Sequence, residues 1–407
     1  MNIPSDKLVN ALLQKGIIIP VPSSVFIDSS ILPERIAPGT VIHPFCRISG
    51  KNTSIGPKCA LGVEGPVTIE NCQLGAGVKL GGGYFSEATF LDNSSMGSGA
   101  HVRPGTLLEE FSSGAHAVGL KQTILFPYVT LGSLINFCDC LMAGGTGRKN
   151  HSEVGSSYIH FNFTPHQDKA TPSLLGDVPR GVLLDQPPIF LGGQGGLVGP
   201  SGVAFGAVIP AGVIQRKDVI NSGLVIAEEQ RKAASGGFLA GAYRSIDRII
   251  RNNLTYIGNI CALRAWYQNA RPIFMSDDNF QSACLAGAFA RLDSILRERI
   301  TRLEELAEKM SFSIELHEKS GNGAAPYLRQ QKIFSDGWEE MKEKILRLAE
   351  FDGDASRKDP FLAELAGGQG RQKYLEAMPS LTAKAKSCAS GWLQSIVDRA
   401  SGIWKTF

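Results

Sequence analysis

Aliphatic residues recur about every sixth position in the segment IFLGGQGGLVGPSGVAFGAVIPAGVI, residues 189–214: Leu191, Leu197, Val203, then Ile209 or its neighbour Val208. Gly, Pro and small residues fill the gaps. A period of six fits neither an α-helix nor a pleated strand. It fits a hexapeptide-repeat β-helix, in which each short strand sends one aliphatic side chain into a prism-shaped core and a tight turn follows. Aliphatic-Gly pairs extend the pattern upstream, at Ile55-Gly56, Leu61-Gly62, Leu74-Gly75, Leu131-Gly132, Val154-Gly155 and Leu175-Gly176. Three strands make one triangular coil, and the pattern predicts about ten coils.

The pattern also predicts where the repeat stops. Residues 6–15 carry Leu8, Leu12 and Leu13 at helical spacing behind Ser5, a suitable N-cap. Two stretches break the six-residue period, Gly144–Glu153 and Phe163–Pro188, where Gly, charge and Pro replace the aliphatic residues. Insertions in a solenoid become loops on its surface, and such loops often carry function. Beyond Asp218 the composition turns to Ala, Leu, Arg and Glu. Helices are expected at 238–269, 278–318, 327–350 and 371–404, with Ser276 capping the second and a loop at 353–360. Leu292, Leu296, Ile300, Leu303 and Met310 form an apolar stripe for packing. The expected division is an N-terminal helix at 1–20, a β-helix at 21–222 and an α-helical domain at 223–407. Two domains also suit a chain of 407 residues.

Composition narrows the function less than periodicity does. A formal net charge of +3 gives no case for a general nucleic-acid binder. No uninterrupted apolar run of membrane-spanning length occurs, and the N-terminus lacks the apolar core of a signal peptide. A cytoplasmic location is therefore expected, with the eight cysteines as reduced thiols. Cys138-Asp139-Cys140 lacks the spacing of a zinc hook, so no metal is expected there.

HVRPGTLL, the LKQTIL segment around Lys121, HFNFTPHQDK and the segment ending IPAG resemble the acetyltransferase domain of the bifunctional enzymes that make UDP-N-acetylglucosamine. The resemblance covers roughly residues 102–219. It implies a left-handed coil, acetyl-CoA as acyl donor, a sugar phosphate or nucleotide sugar as acceptor, and a homotrimer with sites between neighbouring prisms. Arg103 and Lys121 match the residues that hold the sugar phosphate in that family. Asn162-Phe163 matches an Asn-Tyr pair at the sugar and acetyl-CoA site, and Lys169 a following lysine. Gly193 and Ala211 fall where backbone amides hold the thioester or pantetheine arm.

Two departures stand beside these matches. The Gly-rich loop of the family's nucleotidyltransferase domain is missing, so pyrophosphorylase activity is not expected. The family's catalytic histidine also lacks a clean counterpart. Asp139 lies in the region that covers its position, and His160 and His166 are the natural replacements as the base that activates the acceptor. His160 lies two residues before Asn162, which would put both on one face of a strand. The expected function is acyl transfer. A non-catalytic sugar-nucleotide-binding or scaffold protein is the alternative. A zinc-dependent β-helix resembling carbonic anhydrase, using His151, His160 and His166, is a third reading.

Overall fold

The computed structural model describes residues 5–223, 225, 237–275, 278–321, 325–369 and 373–407. Its core is a parallel β-solenoid of about ten coils. Three sheets of nine, ten and eight strands wrap the prism, and the chain visits them in that order in each coil. Neighbouring strands in each sheet come from successive coils and pair in parallel. The six-residue period becomes inward columns. On the ten-stranded sheet, Val102, Leu120, Phe137, His160 and Leu197 occupy one such column, all buried.

Nine helices lie among the described residues: α1 (Ser5–Gln14), α2 (Val178–Gly181), α3 (Asp247–Asn269), α4 (Asn279–Lys319), α5 (Pro326–Asp336), α6 (Trp338–Leu348), α7 (Ala355–Glu364), α8 (Tyr374–Ser380) and α9 (Ala383–Gly402). Several differ from expectation for local reasons. Ser5 begins α1 within the helix. Ser276 lies outside the described residues, and Asp278 caps α4 by accepting from the amides of Phe280 and Gln281. The stretch at 327–350 divides at Gly337 into α5 and α6, and the stretch at 371–404 into α8 and α9. The Gly-Asp sequence expected as a loop at 353–360 starts a helix instead, because the Asp354 carboxylate accepts from Ser356 N at 3.0 Å. The expected boundary near residue 222 falls beside the undescribed positions 224 and 226–236.

Helices α3 and α4 cover one face of the prism, and α1 packs on the first strand of the ten-stranded sheet. On the eight-stranded sheet, strands Ala88–Phe90, Thr106–Leu108, Ile124–Leu125 and Cys140–Met142 are buried at every position. Their inner residues fill the solenoid. Their outward column, Leu107, Ile124, Leu141 and Leu174, is apolar and lies under the helical layer. Each such side chain contributes about 1.5–3 kcal/mol when fully buried. The nine- and ten-stranded sheets alternate buried with exposed positions, as sheets with one face open to solvent do.

Polar anchors fix the register of the helices on this face. Tyr267 donates to Glu109 Oε1 at 2.5 Å, Arg271 pairs with Glu110 at 2.5 Å, and Arg299 pairs with Asp139 at 2.7 Å. Arg271 and Arg299 are both 0% exposed. Burial of two guanidiniums is tolerable only with such partners.

Candidate functional site

The expected site residues divide among two corners of the prism, its interior and, for His166, the contact with the helical region. Where the ten-stranded sheet turns into the eight-stranded one, the pairs His101–Gly119 and Val102–Leu120 carry on to set Arg103 beside Lys121. One coil pitch, about 4.8 Å, separates them. Lys121 in turn pairs with Cys138, and Arg103 Nη2 donates to the Cys138 sulfur at 3.3 Å. Burial pushes the Cys138 thiol up, against the pull of the Arg103 charge. Both basic residues are half-buried. Along their edge runs α4, which brings Glu298 near Lys121. Burial raises the Glu298 carboxyl, but hydrogen bonds from Arg302 outweigh it and hold the group below its usual range.

Asp139 and Asn162 meet at the same corner, one layer deeper. Asp139 is 4% exposed, accepts from Arg299 on Oδ1 at 2.7 Å and from Asn162 Nδ2 on Oδ2 at 3.1 Å. Both carboxylate oxygens are thus engaged within the protein. Lys169 is exposed, and its backbone carbonyl accepts from the same Arg299 at 3.2 Å. The Phe163 ring is 59% exposed and lies outside this network.

His160 is in the core column of the ten-stranded sheet and is 1% exposed. Its Nδ1 donates to the Cys138 carbonyl at 2.6 Å, which makes Nε2 the acceptor for the Ser173 hydroxyl at 2.8 Å. Burial depresses its pKa to about 4, so the ring is neutral at pH 7. His160 therefore points inward and not beside Asn162. The strand ends at Phe161 and the chain turns before Asn162, which cancels the alternation expected of a straight strand.

His166 lies outside the prism, against the helical region. Its Nδ1 accepts from Gly241 N at 3.1 Å and its ring centroid is 4.4 Å from that of Tyr243. Burial lowers its pKa, and Asp168 opposes that shift. The segment 163–188 contributes one strand, Ser173–Leu175, to the eight-stranded sheet, and on either side of that strand it docks against the helical region. Tyr243 donates to Asp168 at 2.9 Å, Asn253 to the Ala170 carbonyl at 2.9 Å, Val178 N to Asn259 at 2.8 Å, and Tyr374 to the Val182 carbonyl at 2.9 Å. The insertion is the seat of the helical region. His151 lies on a hairpin elsewhere, so the three histidines do not converge. Among the described residues, no group of three or more His, Cys, Asp or Glu is arranged to hold a metal ion.

Gly193 and Ala211 lie at the opposite corner, where the nine-stranded sheet turns into the ten-stranded one. Backbone hydrogen bonds stack this corner coil on coil: Leu134 N to the His116 carbonyl at 3.1 Å, Ser157 N to Ser133 at 2.8 Å, Gln194 N to Ser156 at 2.8 Å and Gly212 N to Gly193 at 2.9 Å. His116, Ser133, Ser156, Gly193 and Ala211 therefore form one column. The glycines beside it permit this close stacking. A Cβ on Gly155 would come within 2.4 Å of Gly193 N, and one on Gly192 within 2.1 Å of Ala211 N.

This column contains a histidine that the sequence reading passed over. His116 is exposed, and its Nδ1 is 2.8 Å from Ser133 Oγ. It belongs to the same coil as Lys121. Between them, at the start of strand Gly119–Lys121, Gly119 leaves the outer surface of the sheet open; a Cβ there would meet nothing closer than Asn136 Oδ1 at 3.5 Å. This opens a gap in the outer surface of the ten-stranded sheet between His101 on the coil before and Asn136 on the coil after, a candidate groove. Arg103 and Lys121 stand at one end, His116 and Ser133 at the other. Four residues intervene between His116 and Lys121, and five steps of extended chain span at most about 18 Å.

No family model matches the chain. Curated proteins named bifunctional protein GlmU do. The one from Thermotoga petrophila is 27% identical over 212 residues, 52% of this chain and 42% of that protein. Those from Geotalea uraniireducens and Pelobacter propionicus are each 28% identical, over 223 and 216 residues, covering 43% and 42% of their lengths. The chain is thus similar to GlmU proteins over about half of its length. The chain spans less than half the length of these relatives. Among the described residues, no helix is long and apolar enough to cross a membrane.

Proposed function

We propose that the groove on the ten-stranded sheet binds a sugar phosphate or nucleotide sugar and that the protein transfers an acyl group to it from acetyl-CoA. The observation that carries this reading is the alignment of Arg103 and Lys121 with His116 across the open strand at Gly119. Arg103 offers a bidentate fork and Lys121 a compact charge for a phosphate. With Nδ1–H donating to Ser133, His116 presents the Nε2 lone pair as a general base. It takes a proton from the acceptor amine or hydroxyl as that group attacks the thioester carbonyl. The carbon–sulfur bond breaks, and the departing coenzyme A sulfur ends as a thiol. His116 assumes the role expected of His160, His166 and Asp139: both nitrogens of His160 and both carboxylate oxygens of Asp139 are occupied within the protein, and His166 packs against Tyr243 with its Nδ1 accepting from Gly241 N. The small residues Ser156, Gly193 and Ala211 leave a shallow strip along which a pantetheine arm can lie, with backbone amides for its carbonyls. Asn162, Phe163 and Lys169 stay at the rim of the phosphate end.

The same proposal includes a homotrimer in the cytoplasm, with the division into domains near residue 222. Helices α3 and α4 occupy the eight-stranded face, which leaves the other two faces for neighbouring prisms and shared sites. The test is thiol release from acetyl-CoA in the presence of glucosamine-1-phosphate and UDP-linked amino sugars. Arg103→Ala and Lys121→Ala should each raise the acceptor KM about tenfold or more, as loss of a charged hydrogen bond does. KM values unchanged from the parent in both variants would remove the phosphate assignment. The non-catalytic reading is favoured by one observation: His160, two residues before the matched Asn162, is sealed in the core. Acceptor binding without thiol release would establish it.

A further inference from the structure

A second recess lies on a different face, the nine-stranded sheet. We propose that it binds a small phosphorylated sugar independently of the groove described above. The recess has a volume of about 350 Å³. That is near the lower end for small-molecule sites, so it suits a single ring and its phosphate better than a dinucleotide.

Its floor is a row of hydroxyls. Ser95, Ser113 and Thr130 are in register on three successive coils and point outward, with Ser113 Oγ 3.4 Å from Thr130 Oγ1. Its wall is a pair of parallel rings, Phe111 and Tyr128, with centroids 5.8 Å apart and an interplanar angle of 15°. Hydroxyls at the coil spacing match the hydroxyls of a sugar, and an aromatic face matches its C–H surface. The third element comes from the first insertion, which forms the hairpin strands Gly145–Gly147 and Asn150–His151. Arg148 at its tip lies 4.4 Å from the Phe111 centroid. Among the described residues, its guanidinium has no carboxylate partner and donates no hydrogen bond. A cation positioned by a ring instead of an acid retains its donors for an incoming anion.

The remaining groups give the recess polarity. The Arg148 carbonyl accepts from His151 Nδ1 at 3.0 Å, which leaves Nε2 as an acceptor for a sugar hydroxyl. Lys79 is in register with Ser95 at one edge, and Glu153 with Thr130 at the other. Arg148 and Lys79 favour an anionic ligand; of the carboxylates near the wall residue Tyr128, Glu110 is neutralised by Arg271, and Glu376 is the weaker influence.

Calorimetric titration of the full chain with glucose-1-phosphate, and separately with inorganic phosphate, tests this. The parent for the test is Arg103→Ala/Lys121→Ala, in which the groove on the other sheet is disabled, so failure of that groove and failure of this recess are read apart. Glucose-1-phosphate should still bind this parent. Arg148→Ala and Ser113→Ala, introduced separately, should each weaken binding, the first about tenfold or more. Arg148 is exposed at a hairpin tip, and an unchanged thermal midpoint will show that the fold is intact. Absence of binding to this parent overturns the proposal. So does binding that neither variant weakens, or an affinity for inorganic phosphate equal to that for the sugar phosphate.

Discussion

Acid should destabilise this protein in a way that a single substitution, His160→Gln, removes. His160 is 1% exposed, and its pKa falls from 6.5 to about 4 on folding because burial disfavours the cation. The folded state holds the ring neutral, whereas the unfolded chain protonates below pH 6.5. Stability from this group is therefore complete above pH 6.5 and is lost as the pH falls through 4. The difference of about 2.5 units, at about 1.36 kcal/mol per unit, amounts to about 3 kcal/mol. Gln cannot titrate, yet its amide can donate to the Cys138 carbonyl and accept from Ser173. Urea unfolding followed by far-ultraviolet circular dichroism at pH 7.5 and pH 4 provides the comparison. The carboxylates common to both proteins cancel in the difference. The parent should lose about 3 kcal/mol more than the variant over that interval. Parallel losses would refute the reasoning: His160 would then be as easily protonated in the folded state as in the unfolded one, and its exclusion as a base would fail.

Arg299→Leu should cost about 3–5 kcal/mol in the same unfolding measurement, because it leaves the Asp139 carboxylate buried without its cation; adding Asp139→Leu should restore much of the loss. A cost under about 1 kcal/mol would mean that this pair does not anchor α4 to the solenoid. Gly119→Val should leave the thermal midpoint near that of the parent and reduce acyl transfer at least about tenfold, since the new side chain fills the groove while its Cβ meets only Asn136 Oδ1 at 3.5 Å. Gly192→Ala should lower the thermal midpoint, because its Cβ would approach Ala211 N to 2.1 Å and backbone must shift, typically at about 1–3 kcal/mol. Sedimentation should give a trimer, and a stable monomer would contradict sites shared between prisms.

Much of the fold could be read from local pattern. One aliphatic residue every six positions, with Gly at the turns, is sufficient to specify stacked coils. The doublets Leu107-Leu108, Ile124-Leu125 and Leu174-Leu175 also carried a message that was not drawn from them. The second member of each fills the prism, and the first requires a cover, which the helical region provides. The base was misplaced for a related reason. Six-residue counting from Val154 arrives at His160, a core position, whereas two-residue alternation across a strand end put it on the surface. His116 was overlooked because its partner Ser133 is one coil away, a separation of 17 residues. The signal was also weak: Gly132-Ser133, Gly155-Ser156 and Gly192-Gly193 each follow an inward aliphatic residue, whereas Ala115-His116 follows Gly114, which takes the inward position paired with Leu131 and breaks the aliphatic count there. The docking role of segment 163–188 had no local signature, since its partners Tyr243, Asn253, Asn259 and Tyr374 lie far along the chain.

The most direct measurement is the rate of thiol release from acetyl-CoA, with saturating glucosamine-1-phosphate, by the parent protein, His116→Gln and His160→Gln. Loss of a positioned general base costs about 10²–10⁴-fold. His116→Gln should lose kcat on that scale with its acceptor KM little changed, and His160→Gln should retain most of its activity at pH 7.5. Full activity in His116→Gln, or loss confined to His160→Gln, would contradict the assignment of the groove on the ten-stranded sheet as the catalytic site.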